Sequence, residues 1–549
     1  MKKTTLISGV LGTLRSYATT LILASSLLAT GIAHSAPTNS TAPAAAPAAV
    51  TTSATKPVDV KFDGAPVYRA AFEALRDNHK DLQDPVKRAK FVADWEKRHD
   101  NDAVFTSERG TDKAIYEMMW SLGQRFDYYN PPAAAQEERD QTQASMAGIG
   151  ATLLQKNLSK AIRALGKEPK QEDVVPLFNL ADERPMIVAE DPESNTPAGK
   201  GGLKKGDRIV AVDGAPVNGK TLDAVVGTIR GTPGTSVTLS IIRSSDVADI
   251  KLDIKLVREK FIVHAVKAHD IGGGVTLIKF DHFMSQYGTE EMFNALTEAA
   301  KGKAIILDLR GNPGGELGQA INISAMFLDS GPIVQLIQRN DDDMVTITHS
   351  VSPTKYTGRV QVTGGSDSTR IGKRLDRIVP KNMPIVVLVD GGSASASEIL
   401  SGTLQANGRA LIIGQPTVGK GVGQTVIPLP GGRNMHVTSF EFRPASLKMD
   451  WIGIVPDIEV VQPEDANPME DPSTDAQLNR AKLEIIAALA GKPAPARPAS
   501  EIATRKAELQ KTKEDNFAKQ LEARRKAIAE PLVDPAAAVE KADEAETKK

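Results

Sequence analysis

Two short runs, Ala304–Leu309 (AIILDL) and Ile385–Val389 (IVVLV), constrain this chain more than any other feature. Each reads as a buried strand, and each runs into a glycine-bearing turn that opens a segment of helical spacing. The first is followed by Arg310-Gly311-Asn312-Pro313-Gly314-Gly315 and a helix with Leu317, Ile321, Ser324, Ala325 and Leu328 on one face. The second is followed by Gly391-Gly392-Ser393-Ala394-Ser395-Ala396-Ser397-Glu398, with Ala396, Ile399, Leu400, Thr403 and Leu404 on one face. With Val275–Phe280 as a further strand, alternation of strands and helices predicts an α/β core over residues 261–462.

The rest of the 549 residues leaves room for further domains. Lys2, Lys3 and Arg15, the apolar run 21–33 and the small residues around Ala33-His34-Ser35 read as an export signal over 1–35, cleaved near Ser35/Ala36. The apolar run is short for a membrane span, and no stable membrane insertion is expected after cleavage. Residues 36–57 are rich in Ala, Pro, Thr and Ser and read as a disordered linker. Over 58–143, Ala114, Ile115, Met118, Met119 and Leu122 recur at helix spacing, which predicts a helical domain without chemistry of its own. After about Gln462 the chain is polar. Leu478–Leu489 is helix-like, Glu501–Ile528 reads as a mixed-charge helix, most simply a solvated one with a coiled coil or docking helix as the alternative, and the end as a disordered tail, together spanning 463–549. The fold class is therefore α+β multidomain.

Composition excludes several functions. Lys and Arg (67) balance Asp and Glu (68), and aromatics are only 4%, so neither a basic footprint nor stacking platforms for nucleic acid are present. The absence of cysteine removes disulfides, thiolate catalysis, cysteine–zinc sites and a lipidated cysteine, and with the export signal it points to a periplasm. Asp341-Asp342-Asp343 lacks the interleaved spacing of a calcium loop. No metal or cofactor is expected.

Ser395 falls at or beside a helix N-terminus, where free amides stabilise a developing oxyanion and small neighbours admit a substrate backbone. The same position suits a plain N-cap. Lys420, between Gly419 and Gly421, supplies what a serine nucleophile lacks, a base. Its pKa must fall from roughly 10.4 to near 7, at a cost of about 4 kcal/mol, which burial can impose. Two rival chemistries are weaker. Gly414–Gly421 nearly matches a phosphate-binding loop, but Gly421 stands where Ser or Thr holds Mg²⁺. A Ser/His pair would draw on His282 or His436, lone histidines that more simply serve packing.

Two segments carry resemblances. Over 144–260, the run from Asn195 to Gly214, with Gly202-Leu203-Lys204-Lys205-Gly206-Asp207-Arg208-Ile209, resembles a PDZ domain. Such a domain adds a peptide C-terminus as an extra strand, and the matching carboxylate loop is Gly148-Ile149-Gly150-Ala151. About 40 residues separate this loop from Pro197-Ala198-Gly199, an insertion in which Asn157–Leu165 looks helical. The serine and lysine segments, with Asp308–Gly315 and Gly453-Ile454-Val455-Pro456-Asp457-Ile458, resemble the carboxy-terminal processing, or tail-specific, serine proteases, most closely the periplasmic branch.

That resemblance implies Ser395 as nucleophile, Lys420 as general base and Gln424 as the residue orienting it, four positions on as in a helical turn. It implies an oxyanion hole from the amide of Ala396 and one from Gly314-Gly315, and matches Arg230 to an arginine that couples PDZ position to the active site. The expected substrates are proteins with accessible C-terminal tails, cleaved through an acyl-enzyme, and the terminal helices leave an adaptor protein open as a partner. Three positions depart from the family pattern: Ala406 follows Gln405 where many relatives carry an acid, and Gln415 and Val418 replace Glu and Phe. The competing expectation is a PDZ scaffold that has lost catalysis, against which the intact Ser395, Lys420 and Gln424 argue.

Overall fold

The structure, a computed structural model, describes residues 62–98, 103–142, 145–155, 186–218, 220–244, 248–262, 264–340, 343–373, 377–463, 466, 472–493 and 498–529. The export signal, the linker, the insertion around Asn157–Leu165 and the final twenty residues lie outside them.

The α/β layer is a six-stranded sheet in which Val275–Phe280, Ala304–Asp308, Ile385–Val389, Leu411–Gly414 and Ile458–Glu459 run parallel and in chain order. Val266–Asp270 pairs antiparallel at one edge. Parallel crossovers are right-handed, so strands laid down in one direction carry their helices on one face. Helices Gly288–Ala299, Leu317–Phe327 and Ala396–Ala406 accordingly share a core with Ile305, Leu307, Val387 and Val389. The opposite face, with Ala304, Ile306, Val386, Leu388 and Ile413, is left for another segment to cover. Helix Ala476–Leu489 covers it, packing Leu478, Ala481 and Ile485 there. Burial on both faces explains why Ile385–Val389 is apolar at every position.

That covering helix is pinned at its start. Asp475 accepts the Leu478 N–H as N-cap. It also takes two bonds from the Arg310 guanidinium, 2.8 and 2.9 Å, while Arg310 holds Asp308 at 2.9 and 2.7 Å. Arg310 belongs to the turn after Ala304–Asp308, so the far face of the sheet and the glycine turn are tied together.

A second, largely antiparallel sheet holds Gly331–Asn340, Asp343–Val351, Lys355–Val362, Ser368–Lys373, Val422–Leu429 and Arg433–Pro444. Helices Ala65–Asn78, Pro85–Trp95 and Glu108–Ser121 pack on it, and their cluster includes Leu429, Met435 and Val437 from the sheet. Ala114, Ile115, Met118 and Met119 are buried there. The Tyr-Tyr-Asn-Pro-Pro stop is itself a strand: Tyr128–Asn130 pairs with Asn434–His436, and Pro132 then opens helix Pro132–Thr142.

The PDZ unit has its own core of Ile149, Val188, Leu203, Ile209, Leu239 and Ile241. Among the described residues its sheet ends in edge strand Leu153–Gln155. Both chain connections to the unit pass through one antiparallel ribbon, Ser145–Gly148 with Glu259–Ile262.

The long C-terminal helix, Ala499–Ala529, departs from expectation. Rather than lying free in solvent, it turns Arg505, Lys513 and Phe517 onto the protein, Arg505 pairing with Glu459 and Phe517 packing on Trp451. Its apolar stripe is too thin to signal docking, because polar and cationic side chains make much of the contact.

Candidate active site

The glycine turn and the serine loop meet because they leave neighbouring parallel strands at the same end. Asp308 is in register with Leu388, and beyond them Asp390 Oδ1 accepts the N–H of both Gly311 and Gly392 at 2.9 Å. The three candidate serines are then unequal. Ser393 Oγ donates to the Leu309 carbonyl at 2.8 Å and Ser397 Oγ to the Asn312 carbonyl at 2.9 Å, both fully buried. Ser395 is half-buried, and it joins a capping box with Glu398, whose carboxylate accepts the Ser395 N–H. Its φ of 53° and ψ of −112° place it in a sparsely populated region that costs about 1–3 kcal/mol. Such a turn from strand into helix pushes the side chain out of the surface.

Gly314 lies against this serine. A Cβ on Gly314 would fall 2.8 Å from the Ala396 nitrogen and 2.9 Å from Ser395 Cβ, and its φ of +94° also favours glycine. The Gly314 N–H is taken by Asn312 Oδ1 at 2.9 Å, and its carbonyl accepts from Phe283 N–H. The N–H groups of Gly315 and Ala396 have no partner among the described residues. Ala396 is the first residue of helix Ala396–Ala406, where an unpaired N–H is the rule.

Glu398 joins the serine loop to the lysine loop. This fully buried carboxylate accepts from Ser395 N–H (2.8 Å) and Lys420 N–H (3.0 Å) on Oε2, and from Gly419 N–H (2.6 Å) and Thr417 Oγ1 (2.5 Å) on Oε1. Two backbone nitrogens on one oxygen keep Ser395 and Lys420 no farther apart than the sum of those bonds. Burial raises the Glu398 carboxyl, and the four donors pull it back. Sequence reasoning passes over Glu398, although Ser395-Ala-Ser-Glu398 has capping-box spacing, the signal that reveals it.

Lys420 is 4% exposed. Burial pushes its ammonium down to about 7, with Glu398 pulling upward, Arg125 pushing downward and Asp127 pulling upward. Its Nζ donates to Gln424 Oε1 at 2.7 Å. Gln424 Nε2 donates to the Phe126 carbonyl at 2.5 Å, which turns the amide so that its oxygen faces the lysine. The spacing of four does not reflect a helical turn. Gln424 lies on strand Val422–Leu429 beside a bulge at Gly423/Gln424, and the bulge aims it. Gly419, at φ +79°, has no room for a side chain because residues 451–453 cross it closely.

The expectation that the N-terminal helical region carries no chemistry is also revised. Besides the Phe126 carbonyl, it sends Arg125 to the Gly419 carbonyl, with the guanidinium 4.1 Å from both the Phe126 and Trp451 rings. Asp127 Oδ1 accepts from Thr438 N–H and lies beside buried His79.

The other sequence candidates are engaged in contacts of their own. His282 Nδ1 accepts from Met284 N–H, and His436 stacks on Tyr128 and faces Glu138 at 3.1 Å. The amides of the near phosphate-loop match, Gly419 and Lys420, already donate to Glu398. Gly148, Ile149, Gly150 and Ala151 precede the PDZ edge strand, with Ile149 buried and its carbonyl accepting Ala198 N–H at 2.7 Å. Arg230, at the end of helix Leu222–Ile229, pairs at 3.3 Å with Glu137 on helix Pro132–Thr142.

Comparison with known proteins fits this architecture. Residues 274–460 match Peptidase family S41, and residues 188–243 match the PDZ domain. Over 363 residues the chain is 33% identical to a carboxy-terminal-processing protease of Bartonella bacilliformis, spanning 64% of this chain and 70% of that one. It is 32% identical over 283 residues to a probable CtpA-like serine protease of Staphylococcus aureus, spanning 51% of each. The solved photosystem II D1 C-terminal processing protease is 22% identical, with a TM-score of 0.39, over 73% of this chain and 94% of that one. With its S41 core and PDZ unit, the chain belongs to the carboxy-terminal processing peptidases of family S41 and is a serine-type peptidase.

Proposed function

We propose that this peptidase works through a Ser395/Lys420 dyad. The carrying observation is Lys420 itself: a buried lysine with a near-neutral pKa, its Nζ bonded to an uncharged amide, on a backbone that shares the Glu398 carboxylate with Ser395. Neutral Lys420 takes the Ser395 proton as Oγ attacks the peptide carbonyl, and the tetrahedral oxyanion forms between the amides of Ala396 and Gly315. Lys420 then protonates the leaving amine as the C–N bond breaks. Water, deprotonated by the same lysine, releases the acyl group and restores Ser395. Proton transfer needs Ser395 Oγ and Lys420 Nζ within hydrogen-bond reach when the substrate is in place.

The same reading extends to the substrate. Edge strand Leu153–Gln155 directly follows the glycine loop 148–151, an arrangement suited to adding a protein's C-terminal tail as a further strand. Arg230 and Glu137 then link PDZ position to helix Pro132–Thr142, whose Glu138 bonds Asn434. Residues 1–35 support export to a periplasm. Among the described residues no helix is long and apolar enough to cross a membrane.

The test is cleavage of a protein substrate ending in an unstructured apolar tail, with fluorophosphonate labelling in parallel. Ser395→Ala and Lys420→Ala should both abolish cleavage, and labelling should map to Ser395. Cleavage persisting in both purified variants would sink the dyad.

A further inference from the structure

Three consecutive peptide planes lead into Lys420, and each is held on both edges. On one edge their N–H groups face the serine loop: Val418 N–H donates to the Ser393 carbonyl at 3.0 Å, and Gly419 and Lys420 N–H donate to Glu398. On the other edge the carbonyls meet cations from elsewhere in the chain. The Gly419 carbonyl accepts from Arg125. The Thr417 and Val418 carbonyls accept from Lys513 Nζ at 2.6 and 3.1 Å, and the third ammonium proton goes to the Ile452 carbonyl at 2.9 Å. Peptide units are rigid planes, so gripping the oxygens of Thr417 and Val418 also fixes the N–H groups of Val418 and Gly419.

Lys513 lies on helix Ala499–Ala529, almost a hundred positions after the loop it grips. Phe517, one helical turn on, is buried and packs edge-on against Trp451 at 5.4 Å between ring centres, and Arg505 anchors the preceding turns at Glu459. The lysine is thus inserted by a seated helix, and its three donors are matched one for one by backbone oxygens.

We propose that Lys513 is a positioning residue: it sets the peptide planes before Lys420 and so makes proton transfer at Ser395 depend on the seating of the C-terminal helix. This rests on the Ser395/Lys420 reading. Lys513 touches neither substrate nor reacting atoms, and it acts through the loop.

The brace has a pH signature. Burial brings the Lys513 ammonium down to about 8, with Glu398 pulling it upward and Arg125 and Arg505 pushing it downward. Above that pH an amine with two N–H groups faces three carbonyls, so one carbonyl loses its donor and the brace is weakened. Turnover should therefore rise as Lys420 sheds its proton and fall as Lys513 does.

The experiment uses the full chain and fluorescently quenched casein, with initial rates from pH 6 to 10. K513Q should lower kcat by about tenfold or more with KM within about twofold, the pattern of a displaced catalytic group. K513R, which keeps the charge and does not deprotonate in this range, should recover most of kcat and lose the alkaline fall. K513Q turning over at the wild-type rate, or K513R retaining the wild-type alkaline fall, would overturn the proposal. If K513Q melts at assay temperature, K513R carries the test alone through its profile. The two readings fail differently. Cleavage surviving in Ser395→Ala and Lys420→Ala removes the dyad. A fully active K513Q beside two dead dyad variants removes only the brace.

Discussion

Replacing Lys420 by methionine should make the protein inactive and, at neutral pH, more stable. The folded lysine titrates at about 7, against 10.5 for an ordinary lysine. At 1.36 kcal/mol per unit, holding its charged form in the fold costs about 5 kcal/mol. At pH 7 half of the folded lysines have shed the proton, which leaves about 4 kcal/mol, and at pH 9.5 about 1 kcal/mol remains. Between these pH values the unfolded chain binds more protons than the folded one, so wild-type stability climbs with pH relative to the methionine variant. Methionine also orphans Gln424 Oε1, a loss of about 1–2 kcal/mol that is the same at both pH values. Lys420→Met should therefore exceed wild type by about 2–3 kcal/mol at pH 7, and that advantage should shrink by about 3 kcal/mol at pH 9.5. Urea unfolding followed by the fluorescence of Trp95, Trp120 and Trp451 measures both differences. A stability gap unchanged between pH 7 and 9.5 would mean that Lys420 is hydrated in the fold, and the argument for a neutral lysine would fail.

Glu398→Gln should turn an NH₂ group toward two of the four donors that meet the carboxylate. It should lower stability by about 2–4 kcal/mol and cut cleavage at least about tenfold, and an unchanged melting temperature would contradict the hub role. Gly314→Ala places a methyl against the Ala396 nitrogen and Ser395 Cβ and should reduce kcat by about a hundredfold, with the far-ultraviolet circular dichroism of wild type. Burial by itself would raise the Asp475 carboxyl, but bonds and charge from Arg310 and the Leu478 N–H hold it below its usual value. Its stabilisation is present above pH 4 and lost as pH falls through the depressed folded value. Asp475→Asn should cost about 3 kcal/mol at pH 7, and urea midpoints should converge with wild type toward pH 2.

What the sequence makes legible is local. Strand, glycine turn and helix are written consecutively at Ala304–Phe327 and Ile385–Ala406, so the α/β layer follows from periodicity and turn chemistry, while the meeting of its two loops is implied only by the family resemblance. The Gly-Leu-x-x-Gly-Asp-x-Ile run likewise sits wholly within the PDZ unit. The partners of Lys420 are legible only in part. Gln424 is close in sequence, yet it is aimed by a bulge rather than a helical turn. Phe126 and Arg125 come from a segment whose pattern announces only helix packing. Lys513 sits on a helix whose charge pattern is that of a solvated one, because a lysine that caps carbonyls and a lysine in water look alike in sequence. Glu398 is the intermediate case: its spacing from Ser395 advertises a capping box, but the bonds to Thr417, Gly419 and Lys420 depend on the fold.

Helix Ala476–Leu489 covers a sheet face that every strand of the α/β layer leaves bare. A ribosome makes that helix after the whole catalytic core, and the Lys513 helix later still. Until both have emerged, Ile306, Val386, Leu388 and Ile413 lack Leu478, Ala481 and Ile485 as their cover, and the loop before Lys420 lacks one of its clamps. The catalytic core is thus completed only by segments made after it. A chain ending before Pro472 should accumulate as aggregated, fluorophosphonate-silent protein, and its recovery as a soluble active enzyme would refute that timing.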